Sequence, residues 1–165
     1  MPSTADAEQR PVLIAYDGSS QAQRAIVEAG RVLSGGRAVV LTVREPIEHF
    51  EFVGLGGATT LDPATVSAMQ NAAQNEATAV AEDGAGLARE AGFAAEARVE
   101  VGPSAWQEIV AVAEELDAGV IAIGSRGRTG LPKVLLGSVA SAVVQHSRRS
   151  VLVVHPETGS EPEEG

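Results

Sequence analysis

The sequence predicts an α/β protein with an open, mainly parallel sheet and helices on both faces. Three observations carry this expectation. Short apolar runs alternate with longer amphipathic stretches along the chain. Most of the runs are apolar throughout, as in strands covered on both faces. Several end in glycine or aspartate immediately before a helical pattern, the strand–turn–helix grammar of a crossover unit.

Taken in order, the first run is Val12-Leu13-Ile14-Ala15-Tyr16, ending at Asp17-Gly18. The helix after it places Ala22, Ala25, Ile26, Ala29, Val32 and Leu33 on one face and stops at Gly35-Gly36. A second strand covers Ala38 to Val43. A connection of roughly twenty residues to Leu61 is then read as a loop, functional or mobile, holding His49, Phe50 and Phe52. Asp62-Pro63 reads as an N-cap with proline at the first helical position. Its helix carries a stripe of Val66, Met69, Ala73, Ala77, Val80, Leu87 and Ala91, with Met69 in the core. The third strand alternates, Ala95, Ala97, Val99 and Val101 against Glu96, Arg98 and Glu100, as an edge strand with one wet face would. Ser104 to Gln107 resembles a capping box opening a helix with Trp106, Ile109, Val110, Ala113 and Leu116. Gly119 to Ile123 is a fourth strand. A last helix carries Val139, Ala142, Val143 and His146, and Val151 to Val154 is the fifth strand.

At 165 residues and 44% hydrophobic content, the chain fits one domain with an ordinary core. The expected boundaries are a tail over residues 1–10, a domain over 11–156, and an acidic, Gly/Pro-rich tail over 157–165. The absence of cysteine removes disulfide and thiolate chemistry. No apolar run approaches membrane-spanning length and residues 1–10 do not resemble a signal peptide, so a cytoplasmic location is the default expectation. A net charge of −10 argues against nucleic-acid binding. Yet Ala118 to Pro156 holds no Asp or Glu while carrying Arg126, Arg128, Lys133, Arg148 and Arg149. That is either a basic face balancing acid elsewhere or a site that tolerates an anion.

The stretch from Gly124 to Ser138 is the most informative. It leaves an apolar strand and closes at the start of a helix, where backbone N–H groups and the positive end of the helix dipole surround an anion. Gly124 and Gly127 permit a sharp turn and close approach to a ligand. Gly137 opens the helix so that the amides of Ser138 and Val139 can donate to phosphate. Alone, each piece has an ordinary reading: Ser138 an N-cap, Gly130 and Pro132 loop punctuation, Arg126, Arg128 and Lys133 solvated charges. Asp17 ends the first strand. It either faces the glycine loop across a crevice, where it meets a ribose or Mg²⁺, or shapes the turn at Gly18. No Walker A lysine, no G-x-G-x-x-G and no G-x-S-x-G elbow is present. His49, His146 and His155 have no metal-ligand spacing.

Gly124-x2-Gly127-x9-Gly137-Ser138, with the Asp17 turn upstream, is similar to the ATP-binding motif of the universal stress protein family. The resemblance runs from Val12 to Val154. It implies an adenine nucleotide α-hydrolase-like fold with strand order 3-2-1-4-5. It also implies ATP as ligand, Asp17 near ribose or nucleotide-bound Mg²⁺, and Val43 meeting adenine through its backbone. The implied phosphate contacts are Gly124, Gly127, Gly137, Ser138 and Val139, with Arg126 beside them. Gly102 matches a glycine bordering the pocket. Many members carry histidine where Thr42 stands. The resemblance further implies a homodimer through Val151, Leu152, Val153 and Val154, consistent with the need to cover an apolar edge. The expected role is regulatory, in stress response, with little intrinsic catalysis. A slow Mg²⁺-dependent ATPase and an AMP- or cyclic-AMP-binding module are the alternatives.

Overall fold

The computed structural model of the chain describes residues 10–47, 52–54, 57–59, 62–127 and 135–156. The five expected strands are present as β1 (Val12–Ala15), β2 (Gly36–Arg44), β5 (Phe93–Val101), β6 (Val120–Gly124) and β7 (Ser150–Val154). They form one sheet in the order β5-β2-β1-β6-β7, with every pairing parallel. This is the expected 3-2-1-4-5 order. The remaining strands, β3 (Phe52–Gly54) and β4 (Gly57–Thr59), pair antiparallel in a separate two-stranded sheet. The sequence reading placed a plain loop here. Three-residue strands are too short to produce an alternation that stands out from a loop.

Alternation along β1 divides the core into two layers. Val12, Ile14 and Tyr16 pack with Ala22, Ile26 and Ala29 of α1 (Ser20–Leu33) and with Ala85 and Ala88 of α2 (Pro63–Glu90). Leu13 and Ala15 point the opposite way. They meet Ile109, Val112 and Ala113 of α3 (Ala105–Glu115) and Ala140 and Val143 of α4 (Ser138–His146). Both faces of the sheet are therefore covered, which is why β1 and β6 read as unbroken apolar runs.

Four local expectations are corrected. Val32 is 61% exposed, because the buried stripe of α1 is confined to Ala22, Ala25, Ile26 and Ala29, with Leu33 packed beside it. Met69 is 39% exposed rather than core. Helix α2 has 28 residues, about 42 Å at helical rise, and its fully buried positions begin only at Ala77. Gln74 meets Arg44 at the end of β2 (Nε to Oε1, 2.9 Å), so the turns before it run past the sheet. Val101, at the end of the edge strand, is likewise exposed.

The fourth correction is Ser104, the N-cap of α3, whose hydroxyl makes no capping bond. Its φ/ψ of −144°/111° departs from −72°/157° at Ser19 and −68°/151° at Asp62, whose side chains do cap α1 and α2. The Ser104 carbonyl instead accepts from the N–H groups of Gln107 and Glu108, at 3.2 and 3.3 Å.

Candidate nucleotide-binding site

The strand order reverses direction of winding between β1 and β6, the place where an open parallel sheet leaves a crevice at its carboxyl edge. A cavity of about 280 Å³ lies there. Its lining includes Asp17 after β1, Val43 near the end of β2, and Gly124, Arg126 and Gly127 leaving β6. Gly137, Ser138 and Val139 line it where α4 opens. The structure thus brings together the residues that the family resemblance implies for the site, except Gly102. Gly102 follows β5, where its N–H donates to the Arg44 carbonyl at 3.1 Å and a Cβ would run into the Glu108 carboxylate. It is absent from the cavity lining. Arg128, Gly130, Pro132 and Lys133 lie outside the described residues, as do His49, Phe50 and most of both expected tails.

Asp17 lies at a tight turn. Gly18 takes φ 80°, which lets the chain fold back so that Asp17 Oδ1 accepts the Ser19 N–H at 2.9 Å. The other carboxylate oxygen faces Gly127 closely, 3.0 Å from where a Cβ on that residue would stand. Asp17 therefore shapes its own turn and fronts the glycine loop across the crevice.

Tyr16 forms part of the cavity wall but turns its hydroxyl away, donating to Asp83 Oδ2 on α2 at 2.7 Å. Burial, followed by this hydrogen bond, pushes the phenol above its ordinary pKa, so it remains a neutral donor. Thr42, the position that departs from the family pattern, has a specific use. Its buried hydroxyl donates to the Tyr16 carbonyl at 2.9 Å and holds the end of β1 to β2.

On the far side, α4 begins at Ser138 with Gly137, not Ser138, as its N-cap. The Gly137 N–H donates to the Ser125 carbonyl at 2.7 Å, fixing the helix start against the turn after β6. The amides of the first helical turn have no intrahelical acceptors, and Ser138, Val139 and Ala140 line the cavity. The site thus has one end of backbone donors, helix dipole and a guanidinium. Its other wall is apolar, with Leu41, Val43, Ala105, Ile109 and Ile123. Apart from Val43, sequence reasoning missed that wall because its residues belong to different elements and look like ordinary core. Ser125, between Gly124 and Arg126 in the same turn, also lines the cavity and carries no motif signal of its own.

The acid-free stretch from Ala118 to Pro156 does not amount to a basic surface throughout. Arg149 is hydrogen-bonded to Glu114 and Asp117, residues from just before that stretch. Trp106 and His146 stack at 4.6 Å between ring centroids, joining α3 to α4. Among the described residues no group of three or more metal-binding side chains is found, and no helix is long and apolar enough to cross a membrane.

This architecture has close parallels. The MJ0577 protein of Methanocaldococcus jannaschii superposes with a TM-score of 0.72 at 26% identity, covering 91% of this chain and 98% of that one. A universal stress protein solved in complex with cAMP gives a TM-score of 0.62 at 25% identity, covering 89% and 97%. In sequence, the chain is 45% identical to universal stress protein Sll1388 of Synechocystis over 67 residues, 40% of this chain and 42% of that protein. The match to universal stress protein E of Salmonella typhi spans 17% of that protein's length. A model of the universal stress protein family matches residues 9–155. The chain belongs to the universal stress protein family.

Proposed function

We propose that the cavity binds an adenine nucleotide, ATP in the first instance, and that the protein is a regulatory, stress-linked binding protein with little intrinsic catalysis. One observation carries the reading: the glycine turn after β6, the α4 N-terminus and Asp17 line a single cavity at the sheet's switch point. Phosphates suit the end made of Gly124, Gly127 and the Ser138 and Val139 amides, because helix N-terminal donors and a nearby guanidinium favour anions. The adenine suits the apolar wall beside Val43. The cAMP complex of a related protein supports an adenine nucleotide as the ligand class. Asp17 contributes the carboxylate among the described lining residues, a hard oxygen donor suited to Mg²⁺ arriving with the nucleotide.

Calorimetric titration of the purified chain with ATP, AMP and cAMP tests the reading. Saturable binding of ATP supports it, and binding of none of the three sinks it. Preference for AMP or cAMP would favour the sensor alternative, and steady phosphate release would favour the ATPase.

We also assign the β7 edge, Val151 to Val154, to a homodimer interface. Val151, Leu152 and Val153 are partly exposed on an edge strand, which needs covering. A concentration-independent monomer in sedimentation would contradict that assignment.

A further inference from the structure

Strand β5 closes the main sheet on one side, where it pairs with β2 and has no further strand beyond it among the described residues. At the end of this strand the Gly102 N–H donates to the Arg44 carbonyl of β2. Alternation therefore directs the backbone groups of Glu96, Arg98 and Glu100 toward β2, and those of Ala95, Ala97 and Val99 outward. Arg89 of α2 marks the outward direction, because its Nε–H donates to the Ala95 carbonyl at 3.0 Å. A row of outward backbone groups is a template for another strand, and proteins commonly discourage such pairing with charge. On β5 the charges are arranged differently. Glu96 is exposed and, among the described residues, makes no ion pair. Arg98, on the same face, is held by Glu100 at 2.7 Å and by Glu115 at 3.0 and 2.8 Å. A guanidinium has more donors than these bonds use.

We propose that β5 is a self-association surface, at which two copies of this chain pair antiparallel about a twofold axis at Ala97. Ala97 is the midpoint of the nine-residue strand, so this register pairs β5 over its whole length. It sets Glu96 of each copy across from Arg98 of the other, and Ala95 across from Val99. Ala97 presents its backbone groups outward and meets itself as a hydrogen-bonded pair. Glu96 and Arg98 then occupy the non-hydrogen-bonded pairs, where side chains come closest. Moving the axis by one residue breaks the match. Centred on Glu96 it opposes two glutamates, and centred on Arg98 it opposes two arginines. Glu100 stays with its own Arg98 and faces Ala94 of the other copy. On the opposite face Phe93 lies across from Val101, a valine that is 43% exposed in the single chain. The charges on β5 thus select one register of one partner. This surface lies across the sheet from β7 and depends neither on that interface nor on the nucleotide.

The chain contains no cysteine, so an introduced thiol reports on one position. In this register the two copies of Ala97 oppose each other with Cα atoms about 5.5 Å apart, within disulfide range. Ala97→Cys should therefore form a disulfide-linked dimer on oxidation with diamide. Ala94→Cys should not, because position 94 lies opposite position 100 and about 20 Å from its own counterpart. Glu96→Arg converts both Glu–Arg pairs into Arg–Arg pairs. Affinity between copies at this edge should fall about tenfold, read as a lower average mass in sedimentation and a weaker Ala97→Cys cross-link. Glu96 is exposed, so the circular dichroism spectrum of that variant should match the wild type. No cross-link from a folded Ala97→Cys protein would overturn the proposal, and so would equal cross-linking at positions 94 and 97. Sedimentation unchanged by Glu96→Arg would overturn it as well, and this comparison holds even if Ala97→Cys fails to fold.

Discussion

The two edges of the main sheet treat their polar groups in opposite ways. At the amino edge, Arg149 precedes β7 and is hydrogen-bonded to Glu114, Asp117 and the Ala118 carbonyl, while Arg10 reaches Asp117 from the approach to β1. Further along the sheet, level with Ala15 at the end of β1, Arg98 on β5 makes a two-pronged bond to Glu115 at 3.0 and 2.8 Å. These groups tie α3 to the strands. At the carboxyl edge, the turn after β6 leaves Ser125 Oγ and Arg126 Nε buried without protein partners, beside a cavity. The ion pairs gather around the end of α3, whereas the crevice carries the glycine turn, the α4 N-terminus and the Asp17 carboxylate. The contrast separates the part of the molecule that maintains the fold from the part suited to a ligand.

The contrast is open to attack from both ends. The largest expected effect is at the carboxyl edge. Gly127→Val would place its side chain against the Asp17 carboxylate and into the phosphate end of the cavity. It should weaken ATP binding by about 100-fold while leaving the melting temperature nearly unchanged. A large loss of stability would show that the turn is structural after all. Gly127 suits this test better than Gly137, where a Cβ would approach the Ser125 carbonyl to 3.1 Å and disturb the turn itself.

At the amino edge the effects reverse and shrink. Arg149→Met should lower the melting temperature by roughly 2–4 °C, the scale of partly exposed ion pairs in a chain of this size, and leave ATP affinity intact. The acid limb sharpens the point. Hydrogen bonds from Arg149 hold Glu114 and Asp117 below the ordinary carboxylate range, and Arg98 does the same for Glu115. A carboxylate depressed by folding contributes stability above its unfolded pKa and loses it as pH falls through the folded value. The wild-type protein should therefore weaken as pH drops below about 4, and Arg149→Met should show a flatter decline over that window. Parallel acid limbs in the two proteins would place the charge coupling elsewhere.

Much of this was legible in the sequence because it depends on local rules. Apolar runs, the alternation of β5 and the turn residues at Asp17-Gly18 and Gly124 state their structural roles within a few positions. The candidate site was legible because its donors belong to two turns with characteristic glycine spacing. What escaped depends on distance. Met69 lies on the apolar stripe of α2, yet whether sheet lies beneath it is decided by where β2 ends. The Ser104 cap failed on a backbone angle that residue type does not encode. Arg149 looked like part of a basic stretch because its acidic partners are 32 and 35 residues away in the chain. Ser125 has no periodic or motif signal.

Amide chemical shifts of the full chain, followed during an ATP titration, test the division between the two edges most directly. The predicted result is saturable perturbation of Val43, Gly124, Ser125, Gly127, Ser138 and Val139, with Gly119, Arg149 and Ser150 at the opposite edge unmoved. Shifts centred on the amino edge, or none at the β6–α4 turn, would contradict the account.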